Sequence, residues 1–312
     1  MKRLLLFFIL LSGIDLPAQD MVPSFSETTD KEIQEQLKYH TVSLYKIAKI
    51  PDRVLAAKDL QSLIILVSDS LKEIPATVGE WKKLGFLSVA NTDITTIPDE
   101  IGNLKELIGL HLSINYVTKL PATIGKLTQL KTLNLMSMYL EEVPTEIGKL
   151  VNLEKLDIVE QRLSFRRAHP LVKQPTTALN LPKEIRSLKK LMQLNFYGNQ
   201  STVLPKEIGQ LDSLVYLNLM NNQLQELPGE IGQLSSLKVL DISRNKLKVL
   251  PKEIGRLQSL EGLYISDNQL QHLPKELAEL KKLKGLHLSG NKIPEKEISE
   301  LQMKLPGLKI FY

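Results

Sequence analysis

Five histidines and no cysteine leave this 312-residue chain few groups for covalent or metal chemistry. Without a thiol there is no disulfide, no thiolate ligand, no cysteine nucleophile and no lipid-modified N-terminal cysteine. Two histidines, His111 and His287, fall at equivalent places in a 23-residue spacing that also carries Asp241 and Tyr264. Asp241, Tyr264 and His287 then occupy three successive strands, which separates carboxylate from imidazole by about 10 Å. A general base must instead lie within hydrogen-bond reach of the group it serves. His111 is seven units from His287. No His or carboxylate spacing matches a dedicated metal site. The sequence therefore predicts no catalytic residues, no metal and no cofactor.

Recognition chemistry is better supplied. Read with the two-residue period of a strand, the 23-residue spacing places one residue of each unit between two inward-facing leucines, on an open face. That middle position runs Ser88, His111, Asn134, Asp157, Asn195, Asn218, Asp241, Tyr264, His287. The position after the second leucine runs Ala90, Ser113, Met136, Val159, Tyr197, Met220, Ser243, Ser266, Ser289, and the position before the first offers Phe86 and Tyr216. Ile114 is expected on the same face, with Tyr116 and Tyr139 near its rim. Aromatic and methionine side chains inside a polar frame make up protein-binding patches. The predicted partner-binding set is Met136, Asp157, Val159, Asn195, Tyr197, Tyr216, Asn218 and Met220. Isolated apolar residues are common on any surface, so an ordinary surface is the competing reading. A second chemistry lies close by in sequence. Arg166, Arg167 and Lys173 belong to a stretch with no acid between residues 164 and 180, and with Arg162 just before it they suit an anionic glycan.

These positions are set by a repeat of the form L-P-x-E-I-G-x-L-x-x-L-x-x-L-x-L-x-x-N-x-L-x-x. Its prolines fall at Pro75, Pro98, Pro121, Pro144, Pro182, Pro205, Pro228, Pro251 and Pro274, each step being 23 residues except one of 38. A unit this short cannot bury its own apolar face and must stack on copies of itself. Leu-x-Leu reads as a short inner strand, with Asn115, Asn199, Asn222, Asn245, Asn268 and Asn291 where the chain turns out of it. Their amides are suited to bonding backbone of their own and neighbouring coils. On the outer side, Gly102, Gly125, Gly148, Gly209, Gly232 and Gly255 are expected to permit a tight bend. The long step inserts residues 164–180 beside the patch, where Met138 and Gln161 also stand in place of Asn. Long loops on rigid scaffolds often carry function.

The N-terminus reads Met-Lys-Arg followed by an apolar run over residues 4–11. This is the pattern of a secretory signal, too short for a span of about 20 residues. Residues 1–18 are read as that signal, which predicts a secreted, surface or periplasmic protein with no stable membrane insertion after cleavage. Its removal takes the formal charge from 40 − 35 = +5 to 38 − 34 = +4, a mild and dispersed excess that argues against nucleic acid. Residues 19–59 form the N-terminal segment and helical cap. Thr29 and Glu32 make a capping box, and Ile33, Leu37, Leu44 and Ile47 share one face of a helix ending before Pro51. Repeats fill 60–293. A C-terminal cap over 294–312 holds a helix at 295–305 and a last strand around Leu308, Ile310 and Phe311.

The unit L-P-K-E-I-G-x-L-x-x-L-x-x-L-x-L-x-x-N-x-L resembles the leucine-rich-repeat superfamily. Near-identical copies such as 204–224 and 250–270, together with the exported start, resemble the secreted leucine-rich-repeat proteins of pathogenic spirochaetes. The resemblance implies an α/β solenoid: a horseshoe of about ten 23-residue coils with a concave parallel β-sheet, a short helical or 3-10 convex side and caps at both ends. It also implies a protein ligand, such as a host surface or matrix protein, and a host-interaction or adhesion role without enzymatic activity. The same repeat type occurs in cytoplasmic regulators of small GTPases, against which an exported start counts. A periplasmic scaffold is the remaining alternative.

Overall fold

A computed structural model describes residues 26–136, 138–160 and 178–312. The expected signal and nearly all of the 164–180 insertion lie outside these residues. Among the described residues twelve strands form one sheet in chain order, every neighbouring pair parallel. They are β1 (Thr41–Tyr45), β2 (Ser62–Ser68), β3 (Phe86–Thr92), β4 (Gly109–His111), β5 (Thr132–Met136), β6 (Lys155–Val159), β7 (Gln193–Asn195), β8 (Tyr216–Asn218), β9 (Val239–Asp241), β10 (Gly262–Tyr264), β11 (Gly285–His287) and β12 (Lys309–Phe311). The first leucine of each unit stays in register from Leu63 to Leu286, and these leucines are at most 1% exposed. Stacked leucines from all coils thus merge into one continuous core.

The convex side carries nine 3-10 turns among the described residues, from Ala76–Glu80 to Lys275–Glu279. Each comes after a repeat proline with φ between −64° and −75°. Proline enforces this angle and gives up an N–H that the first turn of a helix leaves unpaired anyway. Pro51 and Pro294 adopt the same conformation, but they open α-helices: α2 (Asp52–Leu55) and α3 (Glu295–Lys304). The proline-led coil therefore recurs at both ends with an α-helix in place of the 3-10 turn. Both end coils are degenerate in sequence, which hides them from a search for L-P-x-E-I-G.

The N-terminal cap corrects another expectation. The Thr29–Glu32 capping box is present, but α1 (Asp30–Leu37) ends well before Pro51. Leu44, assigned to that helix, lies in β1. The run Thr-Val-Ser-Leu-Tyr has a period of two, burying Val42 and Leu44 completely, and His40 turns the chain at φ 54°. Trp81, fully buried at a leucine position of the first 3-10 coil, donates its indole N–H to the Val54 carbonyl and ties that coil to α2. At the other end, helix and last strand lie as expected.

The convex glycines have a different purpose from the one predicted. Among the described residues only Gly198 and Gly290 are glycines with positive φ, so no tight bend requires Gly209 or Gly232. A Cβ on Gly209 would lie 2.3 Å from the Glu230 carbonyl oxygen, and one on Gly232 would lie 2.4 Å from that of Glu253. Glycine lets successive coils approach on the outer side. The asparagine ladder matches its prediction. Asn222 donates to the carbonyls of Phe196 (2.8 Å) and Leu219 (3.0 Å) and accepts from the N–H groups of Asn199 and Ser201 (3.1 and 3.0 Å). Asn245 and Asn268 repeat the donor pattern. In the first coils Ser68 and Thr92 take this place.

Candidate partner-binding face

β5 to β8 bring together the middle of the predicted patch. Asp157, Asn195 and Asn218 are direct neighbours on successive strands, and Asn134 adjoins Asp157. Hydrogen bonds lock these side chains into a row. Ser113 donates to Asn134 Oδ1 (2.7 Å), Asn134 Nδ2 to Asp157 Oδ2 (3.4 Å), and Asn195 Nδ2 to Asp157 Oδ1 (2.6 Å). Lys155 Nζ stands 3.4 Å from Asp157 Oδ2. In β5, β8 and β9 the middle side chain also accepts from the backbone two residues on: Asn134 from Met136 N–H, Asn218 from Met220 N–H and Asp241 from Ser243 N–H. A fixed Oδ1 leaves each amide only one orientation, so the floor of the concave face is preorganised.

Burial shifts the ionisable groups along this floor. It raises the Asp157 carboxyl above the usual range, against the bond from Asn195 and the charge of Lys155. It raises Asp241 in the same way and lifts the Tyr216 hydroxyl, to which the Asp241 charge adds. His111 is lowered to about 4, mainly by burial and then by the Lys155 charge. It meets Phe86 edge-on at 5.0 Å, with Thr132 Oγ1 3.5 Å from Nε2.

The predicted residues divide into floor and walls. Asp157 and Asn218 are buried, and so is Val159 at 2% exposure; Val159 supports the patch rather than offering it contact area. Met136, Asn195, Tyr197, Tyr216 and Met220 are half-buried. Tyr197 and Met220 lie side by side, the N–H of Gly198 bonding the Met220 carbonyl. Ile114, expected on the open face, and Tyr116 and Tyr139, expected near its rim, are all buried, the two tyrosines stacking at 5.5 Å. Met138 fills its asparagine position as a core residue. Arg162, Arg166, Arg167 and Lys173 lie outside the described residues, as does Gln161.

Sequence reasoning missed two features of this face. Met192, 51% exposed, lies just before β7, and its carbonyl accepts the N–H groups of Val215 and Tyr216. At the N-terminal end Tyr45 and Leu66 form a separate apolar cluster with Ile64, Val67 and Ala90. The signal was the unbroken run Leu63-Ile64-Ile65-Leu66-Val67. An apolar residue at every position means that both faces of the strand are apolar.

Among the described residues no helix is long and apolar enough to cross a membrane, and no cluster of His, Asp or Glu is placed to hold a metal ion. No curated protein sequence matches the chain. Solved structures do. The ectodomain of the Arabidopsis thaliana receptor kinase GASSHO1/SCHENGEN3, in complex with CASPARIAN STRIP INTEGRITY FACTOR 2, is 26% identical over 86% of this chain, with a TM-score of 0.66. This chain spans 34% of that ectodomain. An internalin of Listeria monocytogenes is 18% identical, with 93% of this chain and 84% of the internalin covered and a TM-score of 0.63. A leucine-rich-repeat protein of Leptospira interrogans is 27% identical over 98% of both chains, with a TM-score of 0.42. The family described as Leucine-rich repeat region matches residues 79–174 and 230–310, more than half of the chain, and a single Leucine Rich Repeat matches residues 213–234. The chain belongs to the leucine-rich-repeat family.

Proposed function

We propose that this solenoid is an exported protein-binding module of the host-interaction or adhesion kind, holding its partner on the concave face of β5 to β8. The observation that carries the reading is the floor of locked amides and carboxylate between half-buried Met136, Tyr197, Tyr216 and Met220. Oriented polar groups fix the register of a partner, and large side chains beside them provide apolar area to desolvate. The plant ectodomain, whose structure is a complex with CASPARIAN STRIP INTEGRITY FACTOR 2, supports a binding role. Export rests on reading residues 1–18 as a signal. The near-identical coils support a place among the secreted leucine-rich-repeat proteins of spirochaetes.

The test is binding of the mature chain to a panel of purified extracellular-matrix and cell-surface proteins. Tyr197→Ala with Tyr216→Ala should weaken a bound partner at least about thirtyfold, the loss of one strong anchor, with the fold intact by circular dichroism. Unchanged affinity in the double variant would refute the site. Salt separates this reading from anionic-glycan recognition through Arg162, Arg166, Arg167 and Lys173. Exposed charges are screened over roughly 8–10 Å at physiological ionic strength, so a glycan complex weakens steeply with added salt and the proposed complex does not.

A further inference from the structure

Two carboxylates stand in the middle column of the concave face, and only one has its charge answered. Asp157 accepts from Asn134 and Asn195 and lies beside Lys155. Among the described residues Asp241, in β9, has hydrogen bonds from Ser243 only, whose N–H reaches Oδ1 at 2.9 Å. It has no ion pair among those residues. Arg244 pairs instead with Asp267 at 3.5 Å, and His287, whose charge also acts on Asp241, is two strands away in β11. A part-buried carboxylate without a counter-ion is costly, and burial already holds this one above the usual range.

The side chains beside Asp241 form a notch. Val239, two positions earlier on the same face of β9, is half-buried. In register with it are Tyr216 on β8 and Gly262 on β10. Gly262 has no side chain, and the Tyr264 ring leans into the space: a Cβ there would lie 3.2 Å from Tyr264 Cε2. His287 stacks on the far face of that ring, with centroids 4.5 Å apart and planes at 15°. The near face is therefore turned toward β9. Two strand spacings, about 10 Å, separate Tyr216 from Tyr264, and Val239 between them is shorter than either. One extended side chain fits in that gap. At its end stands the Asp241 carboxylate, whose charge also acts on the Tyr216 hydroxyl.

We propose that this notch receives one arginine side chain of the partner protein, its methylenes lying on Val239 and its guanidinium, between the tyrosine rings, bonded to Asp241. Arginine combines an apolar stem with a charged head. Its planar, weakly hydrated guanidinium stacks on aromatic rings while its N–H groups pair with a carboxylate. The bound cation supplies the counter-ion that Asp241 lacks and Asp157 already has. The inference rests on reading the concave face as the binding surface, and names the chemistry that this face selects next to Tyr216.

Titration of the full chain with a blocked arginine, Nα-acetyl-arginine methylamide, at constant ionic strength tests the notch without any partner. Carbon-13 methyl NMR of Val239, assigned through Val239→Ile, reports occupancy. The Val239 signals should shift saturably with a dissociation constant of about 1–10 mM. Blocked citrulline, of the same shape but uncharged, should leave them in place. Asp241→Asn should weaken the arginine at least about tenfold, and the variant is expected to fold because asparagine fills the same position at Asn134, Asn195 and Asn218. Tyr264→Leu should weaken it about threefold or more. No saturable shift, an equal response to citrulline, or an affinity that Asp241→Asn leaves unchanged each overturns the proposal. Because no partner protein is used, failure here leaves the Tyr197 and Tyr216 test standing, and failure of that test leaves this titration standing.

Discussion

Gly209 and Gly229 lie in adjacent coils and are the same residue type, yet replacing each by alanine should shift stability in opposite directions. At Gly209 the new Cβ would sit 2.3 Å from the Glu230 carbonyl oxygen and 2.9 Å from the Glu230 Cβ. Neither atom is the end of a flexible side chain, so the coils must separate. Overpacking of this kind costs about 1–3 kcal/mol. At Gly229 the new Cβ would meet only the Glu253 side chain, at 3.4 Å, and that chain is free to swing away. Neither glycine has positive φ, so alanine carries no conformational penalty. It lowers the entropy of the unfolded chain, worth about 0.4–1 kcal/mol in favour of the fold. The net expectation is a loss of about 1–2 kcal/mol for Gly209→Ala and a gain of about 0.5 kcal/mol for Gly229→Ala. With an unfolding entropy of about 2.1 cal/mol/K per residue, a chain of this length moves by about 1.5 °C per kcal/mol. Thermal melts should therefore show Gly209→Ala about 2–3 °C below the parent and Gly229→Ala about 1 °C above it. Repeat arrays do not always unfold in one step, so the comparison rests on midpoints of the same transition. Equal shifts of the same sign would refute the claim that the regularly spaced convex glycines serve inter-coil contact.

The polar interior gives two more expected outcomes. Asn222→Leu leaves three buried backbone partners unpaired, the Phe196 carbonyl and the N–H groups of Asn199 and Ser201, while the Leu219 carbonyl keeps its bond from Asn245; at about 1–3 kcal/mol for each orphaned group, urea unfolding should register a loss of at least about 3 kcal/mol, and a loss near zero would show that water replaces the amide. His111, lowered from 6.5 to about 4 by burial, is neutral in the fold where the unfolded chain already takes up a proton. Its contribution is therefore present above pH 6.5 and is lost as pH falls from 6.5 toward 4. His111→Gln should flatten that part of the stability profile, and an NMR titration of the imidazole near 6.5 would contradict the assignment.

How much of the fold and the face was legible in the sequence depends on whether the decisive contact lies within one repeat or between repeats. Asn222 could be read because its partners lie at fixed offsets in its own and the preceding coil, and the repeat holds those offsets constant. The capping box at Thr29 could be read because it is local. Leu44 was misplaced because Ile33, Leu37 and Leu44 satisfy a helical period by coincidence, while the strand period is visible only in Val42 and Leu44 together. The glycines were assigned the right importance and the wrong reason. A bend is a property of one coil, whereas the 2.3 Å approach at Gly209 exists only between two. The same distinction governs the concave face. Residue order along the middle column correctly made Asp157, Asn195 and Asn218 neighbours, since parallel register transmits the repeat directly into space. It gave no hint that Val159 would be buried at 2% while Met192, one position outside the columns considered, stands 51% exposed. Exposure is set by the height of neighbouring side chains on adjacent strands, and a one-dimensional column does not contain that information. Such a column gives the order of side chains along the face and not their availability, so binding measurements on half-buried Tyr216 carry more weight than any on Val159.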